Sequence, residues 1–139
     1  MTPLVIKETT ATPKVIFDYS KLEFELKGCS RPEDVREFYV PIIRWFEEFR
    51  GSITEEHKEK HKDNPIVFNF KFDYFNSSSA KFILDVLILI NNIHTEGLSM
   101  QIDWYYDEND EDMKEVGEEL SEVVDFPFKY KSIARETQH

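Results

Sequence analysis

Asn76-Ser77-Ser78-Ser79 sets three hydroxyls in a row between an aromatic strand pattern and an apolar helical one. Serines at such a junction fall where the first backbone N–H groups of a helix have no partner within it. Those free donors, with the positive end of the helix dipole, favour an anion by about 0.3 to 1 kcal/mol at exposed positions. A phosphate ester would add about −1.5 to −2 charges and several acceptor oxygens at that spot. The helix survives such a modification, while the surface seen by a partner changes sign and shape. The same residues also read as a plain helix cap, which needs no modification.

The helix that follows separates its faces. Ala80, Phe82, Ile83, Val86, Leu87, Ile90 and Ile93 form a wide apolar side, and Lys81, Asp85, Asn92 and Thr95 form a narrow polar stripe. Ile88 falls inside that stripe, about 16 Å along the axis from Ser77 at 1.5 Å per residue. An apolar residue on the solvent side suggests a footprint shared with the serines. Asn76, Ser77, Ser78, Lys81, Asp85 and Ile88 are therefore the candidate partner-binding residues.

Other chemistry-bearing residues make weaker patterns. His57 and His61 are four apart, but the intervening Lys58-Glu59-Lys60 belongs to a solvated charge run and not to a zinc-protease helix. Asp107, Asn109, Glu111 and Glu118 echo a calcium loop. Asp112, however, stands where its glycine is required and Lys114 where an apolar residue is usual. His94 is about 25 Å from Ser77 by helical rise, too far to serve as its base. Cys29 has basic neighbours, Lys27 and Arg31, but no nearby histidine or second cysteine to support redox or nucleophilic chemistry. No catalytic constellation, metal site or cofactor motif emerges, so the expected class is a binding module and not an enzyme.

Around the serines, the predicted order is strand, strand, helix, strand, helix, strand, helix, strand. Lys14–Asp18 and Lys21–Lys27 read as a hairpin turning at Asp18-Tyr19-Ser20, with Leu22, Phe24 and Leu26 buried. Ser30 is the expected cap of an aromatic helix with Pro32 in its first turn and an apolar stripe of Val35, Phe38, Ile42, Trp45, Phe46 and Phe49. Pro41 predicts a kink or break in it. Residues 51–64 read as a charged excursion, mobile or a frayed helix end. Ile66 to Phe75 is the clearest strand, with Phe68, Phe70 and Phe72 on one side. Ser77 to Glu96 is the second helix, stopped by Gly97. Met100 to Tyr106, a helix ending near Val124, and Phe126 to Ile133 complete the list.

These elements imply one α/β domain over residues 1–139, with a mixed, mostly parallel sheet of about five strands and three main helices. The chain has 40% apolar and 32% charged residues, the balance of a folded protein. Its net charge of −11 argues against nucleic acid as a partner. The longest apolar run is too short to span a bilayer, no signal peptide is recognisable, and a lone cysteine fits a reducing compartment; the cytoplasm is the expected location.

Several segments together resemble the SiaC family of bacterial regulatory phosphoproteins. They are Thr12-Pro13, the hairpin ending at Gly28, Ser30-Arg31-Pro32, Trp45-Phe46-Glu47-Glu48-Phe49, Tyr74 to Lys81, Trp104-Tyr105-Tyr106-Asp107 and Phe126-Pro127-Phe128. The resemblance implies a fold like the STAS domain of anti-sigma-factor antagonists and a role in partner switching. It also implies a serine/threonine kinase and a PP2C-type phosphatase as modifying partners, and a diguanylate cyclase of biofilm and cyclic-di-GMP signalling as the target. The family's acceptor follows the motif's Asn, which carries over to Ser77, with Ser78 and Ser79 as alternatives. A constitutive STAS-like module that binds protein or ligand without phosphorylation is the competing expectation.

Overall fold

The computed structural model describes residues 1–134. Six strands lie in sequence order across one sheet: β1 (Leu4–Ile6), β2 (Lys14–Asp18), β3 (Glu23–Ser30), β4 (Ile66–Phe75), β5 (Met100–Asp107) and β6 (Phe128–Ile133). The first two pairings are antiparallel and the remaining three parallel. Each parallel step is crossed by a helix: α1 (Val35–Ser52) with the short α2 (Glu55–Lys60), then α3 (Ser77–Thr95), then α4 (Glu111–Val124). A strand order that advances one place at each right-handed crossover sets every crossover on the same face. The core lies between that face and the helices. Phe17, Phe24, Leu26, Phe68, Phe70, Ile102, Trp104 and Phe128 meet Tyr39, Ile42, Phe46, Ile83, Leu87 and Ile90 there.

Among the described residues no helix covers the other face, although parallel sheets are ordinarily covered on both sides. Long charged side chains lie along it instead. Glu25 bridges Lys14 at 3.3 Å and Lys71 at 2.9 Å, and the buried Asp103 takes Lys131 at 2.9 Å. The Lys71 ammonium sits 4.7 Å from the centre of the Tyr105 ring. Lysine stems shield the apolar backbone layer while their charges stay wet.

Burial alone would raise the Glu25 pKa, but hydrogen bonds and charge from Lys71, then Lys14, outweigh it and hold the carboxyl below its ordinary 4.5. A depressed folded-state pKa contributes stability above the unfolded value and loses it as pH falls through the folded one. The stability gap between wild type and Glu25→Gln is therefore expected to be widest near neutrality and to close as pH drops below about 4.5. Urea titrations from pH 7 to pH 3 measure it; a gap that does not change with pH contradicts the assignment.

The structure departs from the expected elements in identifiable places. The sheet gains β1, whose Leu4, Val5 and Ile6 pair with Phe17, Ile16 and Val15. Ser30 does not cap α1; it is the last residue of β3, and Asp34 caps the helix by accepting from the Glu37 N–H. Pro41 does not break α1, which runs unbroken to Ser52. Leu22 is exposed and has φ 52° in the turn, so only Phe24 and Leu26 of the predicted hairpin trio are buried.

Residues 51–64 are not a featureless excursion. Thr54 and His57 close a capping box at the start of α2, each side chain accepting from the other's backbone N–H. His61 is buried and not solvated. Its Nδ1 donates to the Asn64 carbonyl at 3.0 Å, which leaves Nε2 to accept from the Tyr19 hydroxyl at 2.8 Å. The histidine pair thus anchors a helix. The acidic loop also turns inward for capping, as Asp110 takes the Met113 N–H and Asp107 the Asn109 N–H.

Candidate functional site

β4 delivers its chain to α3 at the carboxyl end of the parallel strands, the edge where open α/β sheets present their working residues. The hand-over is held by backbone. Ser30 and Phe75 are register partners, and the Asn76 N–H donates to the Ser30 carbonyl at 3.1 Å. Asn76, extended at ψ 173°, is the N-cap; its Oδ1 accepts from the Ser79 N–H at 2.9 Å. Ala80 N–H returns to the Asn76 carbonyl at 3.0 Å. The serines are therefore the first three residues inside the helix, and the asparagine does the capping that a plain-cap reading gave to them.

The three hydroxyls differ sharply. Ser77 and Ser78 are exposed, whereas Ser79 is fully buried. Ser79 Oγ donates to the Ser30 carbonyl at 3.1 Å and accepts from Ser30 Oγ at 2.9 Å. With that proton committed, Ser30 Oγ receives the Tyr39 hydroxyl at 2.6 Å. Burial pushes the Tyr39 phenol up to about 12, against the opposing hydrogen bonds of Ser30 and Ser79. It remains a donor throughout the physiological range. Ser79, carried as an alternative acceptor, is thus sealed beneath the turn and tied to β3 and α1.

Sequence reasoning missed this buried triad. Ser30 and Tyr39 are remote from Ser79, and no spacing rule links a strand end, a helix interior and a helix start. A small hydroxyl three places after an Asn cap was the one available sign, since that position faces back toward the cap.

On the surface of α3 the predicted stripe is present. Lys81 is exposed, Asp85 half-buried and Ile88 40% exposed, all at helical spacing from Ser77. Lys81 Nζ lies 5.9 Å from the centre of the neighbouring Phe82 ring. Tyr74, which the sequence reading left out of the footprint, is 50% exposed just before the cap. An exposed aromatic, two exposed hydroxyls, a cation and an exposed isoleucine thus share one edge, the mix of anchors found in protein interfaces. Cys29 is half-buried beside Tyr74 in register, and His94 lies at the other end of α3.

The comparisons with known proteins agree across nearly the whole chain. The model for "SiaC family regulatory phosphoprotein" matches residues 6–133. An uncharacterised protein of Pseudomonas aeruginosa strain UCBPP-PA14 is 30% identical over 128 residues, covering 92% of this chain and 94% of its own. The crystal structure of apo-SiaC from Pseudomonas aeruginosa superposes with a TM-score of 0.79 at 28% identity, covering 94% of this chain and 99% of that one. SiaC as found in the crystal structure of the diguanylate cyclase SiaD in complex with its activator SiaC, also from Pseudomonas aeruginosa, gives 0.80 at 28% identity with the same coverage. No helix among the described residues is long and apolar enough to cross a membrane. With the family's pattern spanning every strand but the start of β1, and a serine-opened helix at the sheet's carboxyl edge, this chain belongs to the SiaC family of regulatory phosphoproteins.

Proposed function

We propose that this protein is a partner-switching regulator whose binding surface is the stripe Asn76, Ser77, Ser78, Lys81, Asp85 and Ile88, controlled by reversible phosphorylation of Ser77. A serine/threonine kinase modifies Ser77, a PP2C-type phosphatase restores it, and the unmodified surface docks a diguanylate cyclase in the cytoplasm. The observation that carries this reading is the split among the hydroxyls: Ser77 is exposed at the first helical position while Ser79 is locked inside. A relative of the same fold being a cyclase activator supports the choice of target.

In this scheme phosphate acts on the partner and not on the fold. It sits where N–H donors and the helix dipole accept an anion, so α3 stays formed. The added charge and bulk then meet a partner surface built for a neutral hydroxyl, and desolvating an unmatched anion opposes docking. Asp in place of Ser77 is expected to weaken binding of a diguanylate cyclase from the native host by about tenfold or more, equivalent to 1.4 kcal/mol per decade, while Ser77→Ala binds like wild type. Calorimetric titration measures both. Equal binding by the two variants would remove the switch, and phosphopeptide mapping from the native host that finds no modified Ser77 would leave a constitutive binding module in its place.

A further inference from the structure

Ser77 and Lys81 are both exposed and stand four residues apart on α3. At that spacing the Cβ atoms of a helix lie about 5–6 Å apart, and an acid placed N-terminal to a base is the favourable order. Helical side chains also lean toward the N-terminus, so each covers the surface of the turn before its own. The stem of Lys81 therefore belongs over the first turn of α3, where the two exposed serines are.

The lysine is also free to serve there. Among the described residues no carboxylate pairs with Lys81, whereas Lys14, Lys58, Lys71 and Lys131 each hold one. Its contact with the Phe82 ring, at 5.9 Å, is at the outer limit of a cation–π interaction. Asp85, the acid of the same stripe, lies one turn beyond it in the less favourable order of base before acid.

We propose that Lys81 is the internal counter-ion of a phosphate on Ser77. This rests on the proposed modification of Ser77 and says how the modified state is built. The ester oxygens meet the N–H groups of the first turn and, from the next turn, the Lys81 ammonium. Unmodified, Lys81 is available to a partner; modified, it is drawn back onto its own helix. One modification thus alters the stripe at two positions. The phosphate brings about −1.5 to −2 charges, so a single ammonium still leaves a net anion facing the partner.

Protein carrying phosphoserine at position 77, installed during translation, tests the pairing without any kinase. A ³¹P NMR titration from about pH 4 to pH 8 reads the proton affinity of the phosphate, whose second ionisation ordinarily lies at about 6. A neighbouring ammonium favours the dianion. The phosphate is therefore expected to bind its proton about twofold more weakly when Lys81 is present than in Lys81→Gln, with Lys81→Arg behaving like the lysine protein. Arg31, exposed and next to the Ser30 carbonyl that holds Asn76, supplies the comparison cation. The proposal is overturned if Lys81→Gln leaves the titration unchanged, or if Arg31→Gln moves it and Lys81→Gln does not. The expected shift together with an unmodified Ser77 in the native host would sink the switch and uphold the pairing, so the two failures are separable.

Discussion

Ser79→Asp is expected to destabilise the protein by about 3–5 kcal/mol, the cost of a buried charge without a counter-ion, while Ser77→Asp is neutral or stabilising by up to about 1 kcal/mol. The substitutions are chemically identical and two residues apart. The difference lies in what surrounds each hydroxyl. Ser79 is 0% exposed, and its oxygen donates to the Ser30 carbonyl. A carboxylate has no proton to give, so it would face that carbonyl with like polarity while losing water. The Ser30 and Tyr39 hydroxyls can donate to it but carry no charge to offset it. At Ser77 the new carboxylate stays hydrated beside open helix N–H groups. Urea denaturation of both variants at pH 7 measures the contrast. Equal stability would mean that the turn opens easily, and Ser79 would then be as reachable for a modifying enzyme as its neighbours.

How much of this was legible in the sequence depends on the range of the interaction. Alternation in Ile66 to Phe75 and the wide apolar side of Ala80 to Ile93 are local patterns, and both elements stand where those patterns place them. The parallel run of the sheet followed from the alternation of strand and helix. Misreadings arose where a distant partner overrides local signals. Three residues of β1 carry no pattern alone and become a strand because β2 offers an open edge. The Ser30-Arg31-Pro32 sequence has every mark of a helix start, yet β4 captures Ser30 as a strand partner of Phe75 and moves the cap to Asp34. Pro41 forfeits one hydrogen bond, but Tyr39, Ile42, Trp45 and Phe46 are buried on either side of it and hold the helix through the defect. His61 lies in a run of charges and is buried only because Tyr19, forty-two residues earlier, lies over it. The exposed edge of the candidate site was readable from helical spacing; the buried triad that decides which serine is exposed was not.

A second large effect is expected where α4 crosses the sheet, at a glycine that no local pattern singles out. Trp104 is 1% exposed and stacks between Phe70 at 6.0 Å and Phe128 at 5.8 Å, and its Nε1–H donates to the Met113 carbonyl at 3.0 Å. Gly117 on α4 lies against that indole so closely that a Cβ would fall 2.5 Å from Cδ1 and Nε1. Trp104→Ala is expected to cost about 3–5 kcal/mol through the cavity it leaves. Gly117→Ala ordinarily stabilises a helix by about 1 kcal/mol, but here it should destabilise by about 1–3 kcal/mol, because the ring is pinned on both faces and cannot retreat. The two effects are coupled. Once the indole is gone the clash is gone, so Gly117→Ala introduced into Trp104→Ala, or into Trp104→Leu if the alanine variant is unfolded, should recover its ordinary stabilising sign. A double-mutant cycle by urea denaturation reads that reversal directly. If Gly117→Ala instead stabilises the wild-type protein, or if the two changes simply add, the close approach of α4 to Trp104 is not what fixes this helix on the sheet.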